Sequence, residues 1–260
     1  MIILNESDTD YHNNAALGSG DIRAFLQSSQ LLRDMLDGVC VKKKSDAMSF
    51  GTLAHMYFLE PARYNESVII KPEGMDFRTR EGKAWKEANE GKVHVSEADS
   101  AKLFMMKQRI PAQVVSRITS GQSEVTVRVN DDGLDLQCRV DHWYREDGIN
   151  EMYDLKTTSN IDDIGKSVMD YGYHIQSAFY KHVTALAGVT SGMQFIFCET
   201  DAPFRWRIVD LSRDLQVAGE EAVAVALAGI AACKKSDNWT DKKSIYETIE
   251  MPTWAKGKKS

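Results

Sequence analysis

Ser123 to Lys156, SEVTVRVNDDGLDLQCRVDHWYREDGINEMYDLK, is the stretch whose reading decides the fold. Apolar and polar residues alternate along it. Two Asp-Gly pairs, Asp132-Gly133 and Asp147-Gly148, interrupt the alternation where two-residue hairpin turns belong, so the stretch predicts three consecutive antiparallel strands. Counting outward from those turns sets Glu124 opposite Asp141, and Asp141 opposite Asp154. One face then collects Val125, Val127, Val129, Leu136, Cys138, Val140, Tyr153 and Leu155 as a core face. The other collects Glu124, Asp141 and Asp154 in a row, with Lys156 on the side of Asp154 because residues two apart on a strand share a face.

Directly opposed like charges destabilise a sheet; at about 5 Å and an effective dielectric of about 20, each neighbouring pair costs about 3 kcal/mol before screening. A cation between the carboxylates reverses that sign, and oxygen ligands select a hard ion, Mg²⁺ or Mn²⁺. The row on a solvated outer face would need no ion. A single bulge would also move one carboxylate to the opposite side.

Asp141, followed after a hairpin by Asp154-Leu155-Lys156, resembles the PD-(D/E)xK nuclease signature. Gly51-Thr52-Leu53-Ala54-His55 with Leu59-Glu60-Pro61 resembles the N-terminal histidine motif of the RecB-like branch, and Gln176-Ser177-Ala178-Phe179-Tyr180 resembles its QxxxY helix. In that order, over positions 51 to 180, the motifs most resemble the RecE-type (exonuclease VIII) exonuclease domain of phages and prophages. Val140 replaces the family's proline before the first Asp, and Asp154 stands where many members carry Glu.

The resemblance implies an α/β (α+β) fold with a central mixed sheet, an antiparallel three-stranded hairpin region and flanking helices. It implies Mg²⁺, with Mn²⁺ as substitute, held by Asp141, Asp154 and the carbonyl of Leu155, with His55 and Glu124 completing or supporting the shell. Lys156 would position or help deprotonate the attacking water, Gln176 would orient Lys156 or that water, and Tyr180 would support the site or a phosphate. The implied activity is 5′ to 3′ degradation of one strand of linear double-stranded DNA, leaving 3′ overhangs for recombination by strand annealing. A ring-shaped homotetramer and a RecT-like single-strand annealing partner come with it. Two other readings stand beside this one. The first is a Cas4-like nuclease, whose iron-sulfur version the unclustered cysteines disfavour. The second is a DNA-end or protein-binding module that kept the fold without the chemistry.

With 260 residues, 43% hydrophobic and 27% charged, the chain reads as a single soluble globular domain. A helical lead-in, 1–45, and a partly mobile tail, 239–260, flank it. No run approaches the length of a membrane-spanning helix, and Met1-Ile2-Ile3-Leu4 lacks the features of a secretory signal, so a cytoplasmic protein away from membranes is expected. Cys40, Cys138, Cys198 and Cys233 form no CxxC pair and read as buried free thiols. The net charge of −6 counts against non-specific DNA binding unless cations cluster locally.

Phe77-Arg78-Thr79-Arg80-Glu81-Gly82-Lys83-Ala84-Trp85-Lys86 is such a cluster, four cations beside two aromatic rings. Arg78, Arg80, Lys83, Trp85 and Lys86 fit a DNA-contacting wall, and they equally fit an amphipathic surface helix with Trp85 packed inward. His55 by itself fits a core histidine as well as a ligand, and Gln176 with Tyr180 fits an ordinary polar helix face. Helices are expected at about 19–36, 46–59, 97–118 (kinked at Pro111), 160–171, 174–187 and 213–233, and strands at 193–199 and 204–210. Residues 1–16 read as an extended lead-in, 61–95 as irregular, and Lys42-Lys43-Lys44 as an exposed basic loop.

Overall fold

A computed structural model describes residues 1–40, 50–146 and 148–241. The lysine run at 42–44, Asp147 and the tail from 242 onward lie outside the described residues. The lead-in is more ordered than its polarity suggested, because β1 (Ile2–Ile3) joins the main sheet and α1 (Asp8–Asn13) follows it, capped by Ser7. The helix expected over 19–36 is two helices, α2 (Ser19–Gln27) and α3 (Ser29–Leu36). Ser28 adopts an extended backbone between them, and its Oγ accepts from Leu31 N–H at 3.0 Å to cap the second.

After α4 (Phe50–Leu59), the region read as irregular is folded. It holds α5 (Pro61–Ser67), β2 (Val68–Lys71), α6 (Arg80–Ala88) and β3 (Val93–Ser96), and β2 pairs in parallel with β3 as a small separate sheet. Four-residue strands are too short to show an alternation a reader can trust. Pro111 breaks the expected long helix rather than bending it, so α7 (Glu97–Gln108) and α8 (Ala112–Ile118) are separate, with the proline extended at the cap of the second.

The expected hairpins form as β4 (Gln122–Asp131), β5 (Leu134–Glu146) and β6 (Ile149–Thr158). Then come α9 (Ile164–Asp170), α10 (Tyr173–Leu186), β7 (Gly192–Glu199), β8 (Trp206–Val209) and α11 (Arg213–Ser236). The six-stranded sheet runs β1-β4-β5-β6-β7-β8, with β6 and β7 parallel and every other neighbouring pair antiparallel. This is the mixed α/β architecture expected.

Helices cover both faces. On one side Val125, Val127, Cys138, Trp143, Met152, Phe195 and Phe197 pack beneath α2, α10 and α11. On the other, Tyr153, Leu155, Ile196 and Cys198 pack with Leu53 and Phe58 of α4 and Leu103 and Met106 of α7. Tyr153 and Leu155 therefore do not share a face with Val125 to Val140, as the simple alternation required. The reason lies at one rung. The register is unchanged on either side of Glu124, with Ser123 opposite His142 and Val125 opposite Val140, but Glu124 itself has φ +53°. Ser123 Oγ reaches the carbonyl of Leu59 on α4, whereas Val125 faces the opposite core, so the alternation reverses across Glu124 and Asp141.

α11 is long and apolar enough by length and composition to cross a membrane, against the reading that no run approaches that length. Its Val223, Ala226, Leu227 and Ile230 are buried, and it packs on α10 and α2. The approach to α10 is close enough that a Cβ at Gly219 would lie 2.3 Å from the carbonyl oxygen of His174.

Candidate active site

The reversal at Glu124 and Asp141 turns both carboxylates toward α4. There Leu53, Ala54, Met56, Phe58 and Leu59 are buried and fix the helix against the sheet, which brings His55 over the end of β6. His55 Nδ1 lies 3.3 Å from Asp141 Oδ2, and His55 Nε2 lies 2.5 Å from the carbonyl oxygen of Leu155. A carbonyl only accepts, so Nε2 carries the hydrogen and Nδ1 is the nitrogen turned to the carboxylates. His55, Glu124 and Asp141 each offer an atom within 4.8 Å of the others. They line a cavity of about 400 Å³ shared with Thr52, Tyr180 and Arg63.

Asp141 Oδ2 also accepts the backbone N–H of Leu155 at 3.0 Å. This side-chain bond stands where the next backbone rung would be, since the β5–β6 pairing reaches only His142 opposite Tyr153. One step further, Asp154 points to the α10 side, like Met152 before it. Its Oδ2 accepts from Gln176 Nε2 at 2.5 Å, and Lys156 Nζ sits 2.5 Å from its Oδ1. Lys156 Nζ also lies 4.8 Å from the ring centroid of Tyr173.

The row of three carboxylates expected on one face is thus two linked groups. One is His55, Glu124 and Asp141, open to the cavity; the other is Asp154, Lys156 and Gln176, nearly closed to solvent. Asp154, expected as a metal ligand, has its oxygens beside Lys156 and Gln176, and the Leu155 carbonyl is engaged by His55. The α-helical spacing of Gln176 and Tyr180 places both toward the site, Tyr180 at the cavity wall.

The charges are incompletely compensated. Burial and the neighbouring Asp141 push the Glu124 carboxyl up to about 7, although Arg139 opposes this with its Nε 2.8 Å from Glu124 Oε2. Burial and Asp141 also hold Asp154 above the usual carboxylate range, against the pull of Lys156. Lys156 is raised as well: its burial favours the neutral amine, but Asp154 and Asp141 outweigh that. One ammonium therefore serves two acids.

Two carboxylates and an imidazole nitrogen converge within 4.8 Å, and that imidazole gives its other N–H to a backbone carbonyl, as metal-bound histidines do. This donor set fits a divalent cation of the Mg²⁺ or Mn²⁺ kind, the imidazole being better suited to Mn²⁺.

Arg139, Arg63, Asp8 and Tyr11 also border the cavity and had no part in the sequence reading. Arg139 was within reach of it, since it precedes Asp141 by two on one strand. Asp8 and Tyr11 on α1 and Arg63 on α5 come from elements with no local pattern to mark them. Of the predicted DNA wall, none lines this cavity. Arg80, Lys83 and Lys86 are exposed on α6. Arg78 is paired with Asp76 at 2.7 Å, and Trp85 stacks on Phe77 at 6.0 Å and meets His94 at 4.9 Å.

A family model for a PDDEXK-like domain of unknown function (DUF3799) matches residues 19–250. None of the curated proteins matches the chain. A crystal structure of a protein from Eubacterium rectale, provisionally described as an exonuclease, superposes with a TM-score of 0.62 at 16% identity. The superposition covers 95% of this chain and 97% of that one, and at this identity it shows the fold alone. The crystal structure of SSO0001 aligns over 75% of this chain and 82% of that one at 10% identity, with a TM-score of 0.30 too low to carry an argument.

Proposed function

The chain belongs to the PDDEXK-like family DUF3799, and from that premise we propose that it is a metal-dependent exodeoxyribonuclease acting on linear double-stranded DNA. The observation that carries the reading is the meeting of two incompletely compensated acidic groups, His55-Glu124-Asp141 and Asp154-Lys156-Gln176, where the pairing of β5 with β6 stops. His55, Glu124 and Asp141 would hold the cation, with Asp154 beside them. A bound divalent cation neutralises charge on the phosphate and acidifies water.

The chain's own residues supply the rest. Lys156 stays protonated between Asp154 and Asp141, so it acts as a fixed positive charge and hydrogen-bond donor to the oxygens of the reacting phosphate, rather than as a base. Gln176 fixes the Asp154 carboxylate and thereby Lys156. Tyr180 closes the cavity wall with its hydroxyl kept neutral by burial. The cations of α6, Arg80, Lys83 and Lys86, offer a wall for the DNA backbone.

The RecE-type resemblance supports the finer parts of the proposal: 5′ to 3′ polarity, 3′ overhangs for strand annealing, a ring-shaped tetramer and a RecT-like annealing partner. The deciding experiment is digestion of linear duplex DNA labelled separately at its 5′ and 3′ ends, with Mg²⁺ and then with EDTA. Early release of 5′ label that EDTA abolishes is expected. Intact DNA in Mg²⁺ and in Mn²⁺ would overturn the nuclease reading, and early release of 3′ label would overturn the polarity alone.

A further inference from the structure

Across the sheet from the metal-binding trio, a second combination of cation and ring remains unspent. Tyr171 ends α9 with 58% of its surface exposed. One face of its ring stacks on Tyr173 at 5.7 Å and 29°, and Tyr173 stacks in turn on buried Phe195 at 5.5 Å. Tyr173 is also the ring beneath Lys156 Nζ. A short aromatic ladder thus runs from the proposed reaction centre to the surface and ends in an exposed ring.

Arg23 of α2 lies beside it. Its Nη1 donates to the backbone carbonyl of Tyr171 at 2.5 Å, and its stem crosses Gly172, where a Cβ would lie 2.8 Å from Arg23 Cδ. Arg23 is exposed and joins no ion pair among the described residues. Gly172 has φ +64°, so the turn that presents Tyr171 is set by its backbone and tied to α2. Arg23, Gln27, Met169 and Tyr171 border a groove of about 420 Å³.

The predicted wall at α6 makes the contrast. There the rings of Phe77, Trp85 and His94 pack on one another and Arg78 is neutralised by Asp76, so less of the mixture is left for a ligand. At Tyr171 an exposed ring stands beside a guanidinium that one backbone carbonyl holds in place and no carboxylate neutralises among the described residues, in a protein of net charge −6. A ring takes the face of any base, and a planar guanidinium takes a phosphate.

We propose that the groove between α2 and the α9–α10 turn is a nucleotide subsite, in which one base of a single DNA strand stacks on Tyr171 and an adjoining phosphate meets Arg23. It deepens the nuclease reading and rests on it, since the ladder leads to Lys156. The test is equilibrium binding of a fluorescein-labelled oligo(dT) single strand in Ca²⁺, over a range of salt, with melting curves to confirm folding. Tyr171→Leu, which keeps an apolar contact on Tyr173, is expected to weaken binding about 10-fold, and Tyr171→Trp to restore it. Arg23→Ala is expected to lower the salt slope by about 0.7, one phosphate contact on a single strand. Wild-type affinity in Tyr171→Leu together with an unchanged slope in Arg23→Ala would overturn the subsite, as would failure of the wild type to bind. Cleavage of duplex ends by the wild type alongside that result leaves the nuclease reading standing. Loss of binding in Tyr171→Leu from a protein that cuts no DNA supports the subsite and overturns the nuclease reading instead.

Discussion

Two groups of acids sit on the same sheet and are treated in opposite ways. At the end of β7, buried Glu199 receives Arg205 Nε at 2.9 Å and Nη2 at 2.6 Å, with the backbone N–H groups of Ile161 and Arg205 at 3.2 Å each. Arg205 foremost holds its carboxyl well down, to about 2. At the splay of β5 and β6 burial has the reverse result, with Glu124 pushed up to about 7 and the buried Asp154 Oδ1 left without a hydrogen bond of good geometry. Glu199 is matched by its own guanidinium and two backbone donors, whereas Glu124 and Asp154, each with one cation beside it, are still raised by Asp141; acids crowded beyond their cations mark a place that another charge completes.

The comparison can be broken most severely at Lys156. Lys156→Ala is expected to cut nuclease turnover about 1,000-fold or more while leaving cation binding intact, as read by end-labelled digestion beside isothermal titration with Mn²⁺. A Glu199→Gln variant, tested alongside, is expected to keep turnover near wild type. Loss of turnover only in the second would reverse the assignment of the two groups.

Metal is the next lever. Mn²⁺ at about 100 times its dissociation constant is expected to stabilise the wild type by about 3 kcal/mol, or about 5 °C in Tm. Asp141→Asn should remove most of that shift in a melting experiment. An equal shift in the variant would mean that the ion binds elsewhere.

Protons should act on the two groups with opposite signs. Glu124 has a folded pKa near 7 and an ordinary value of 4.5, so the native state binds more protons between those pH values. Metal-free protein is therefore expected to lose up to about 3 kcal/mol of stability as pH rises from 4.5 to 7, and Glu124→Gln to flatten that decline in urea titrations. Glu199, with a folded pKa near 2, stabilises above 4.5 and loses that contribution as pH falls toward 2. Glu199→Gln should cost about 2 kcal/mol at pH 7 and remove this acid-side dependence. Parallel pH profiles in the two variants would dissolve the distinction.

The hairpins were legible because a period of two, punctuated by Asp132-Gly133, survives in any register that buries the valines. The helices α9 and α10 were legible for a similar reason, Gly172 dividing them. At Pro111 the proline marked a kink and the structure has a full break; the break at Ser28 was not legible, since a helical stripe continues across a single extended residue without leaving a gap in the pattern. Nor was the small β2–β3 sheet, whose pairing joins segments separated by α6. The candidate site was legible as a list, because His55, Asp141, Asp154, Lys156, Gln176 and Tyr180 fall on recognisable motifs and the hairpin register sets Glu124 opposite Asp141. Its partition into two groups was not.

Sequence by itself determined the three-stranded hairpin unit, the register that sets Glu124, Asp141 and Asp154 level with one another on neighbouring strands, and the helical faces that carry His55, Gln176 and Tyr180. These follow from local periodicity and turn chemistry, which act over a few residues. Only the tertiary structure decided which acids share a ligand space and which are closed off. That depends on the left-handed backbone of Glu124, the approach of α4 and α10 from opposite faces, and the arrival of Arg63 and Asp8 from distant segments. Burial and charge are properties of the assembled interior, where each carboxylate's cost is set by whatever the rest of the chain places beside it.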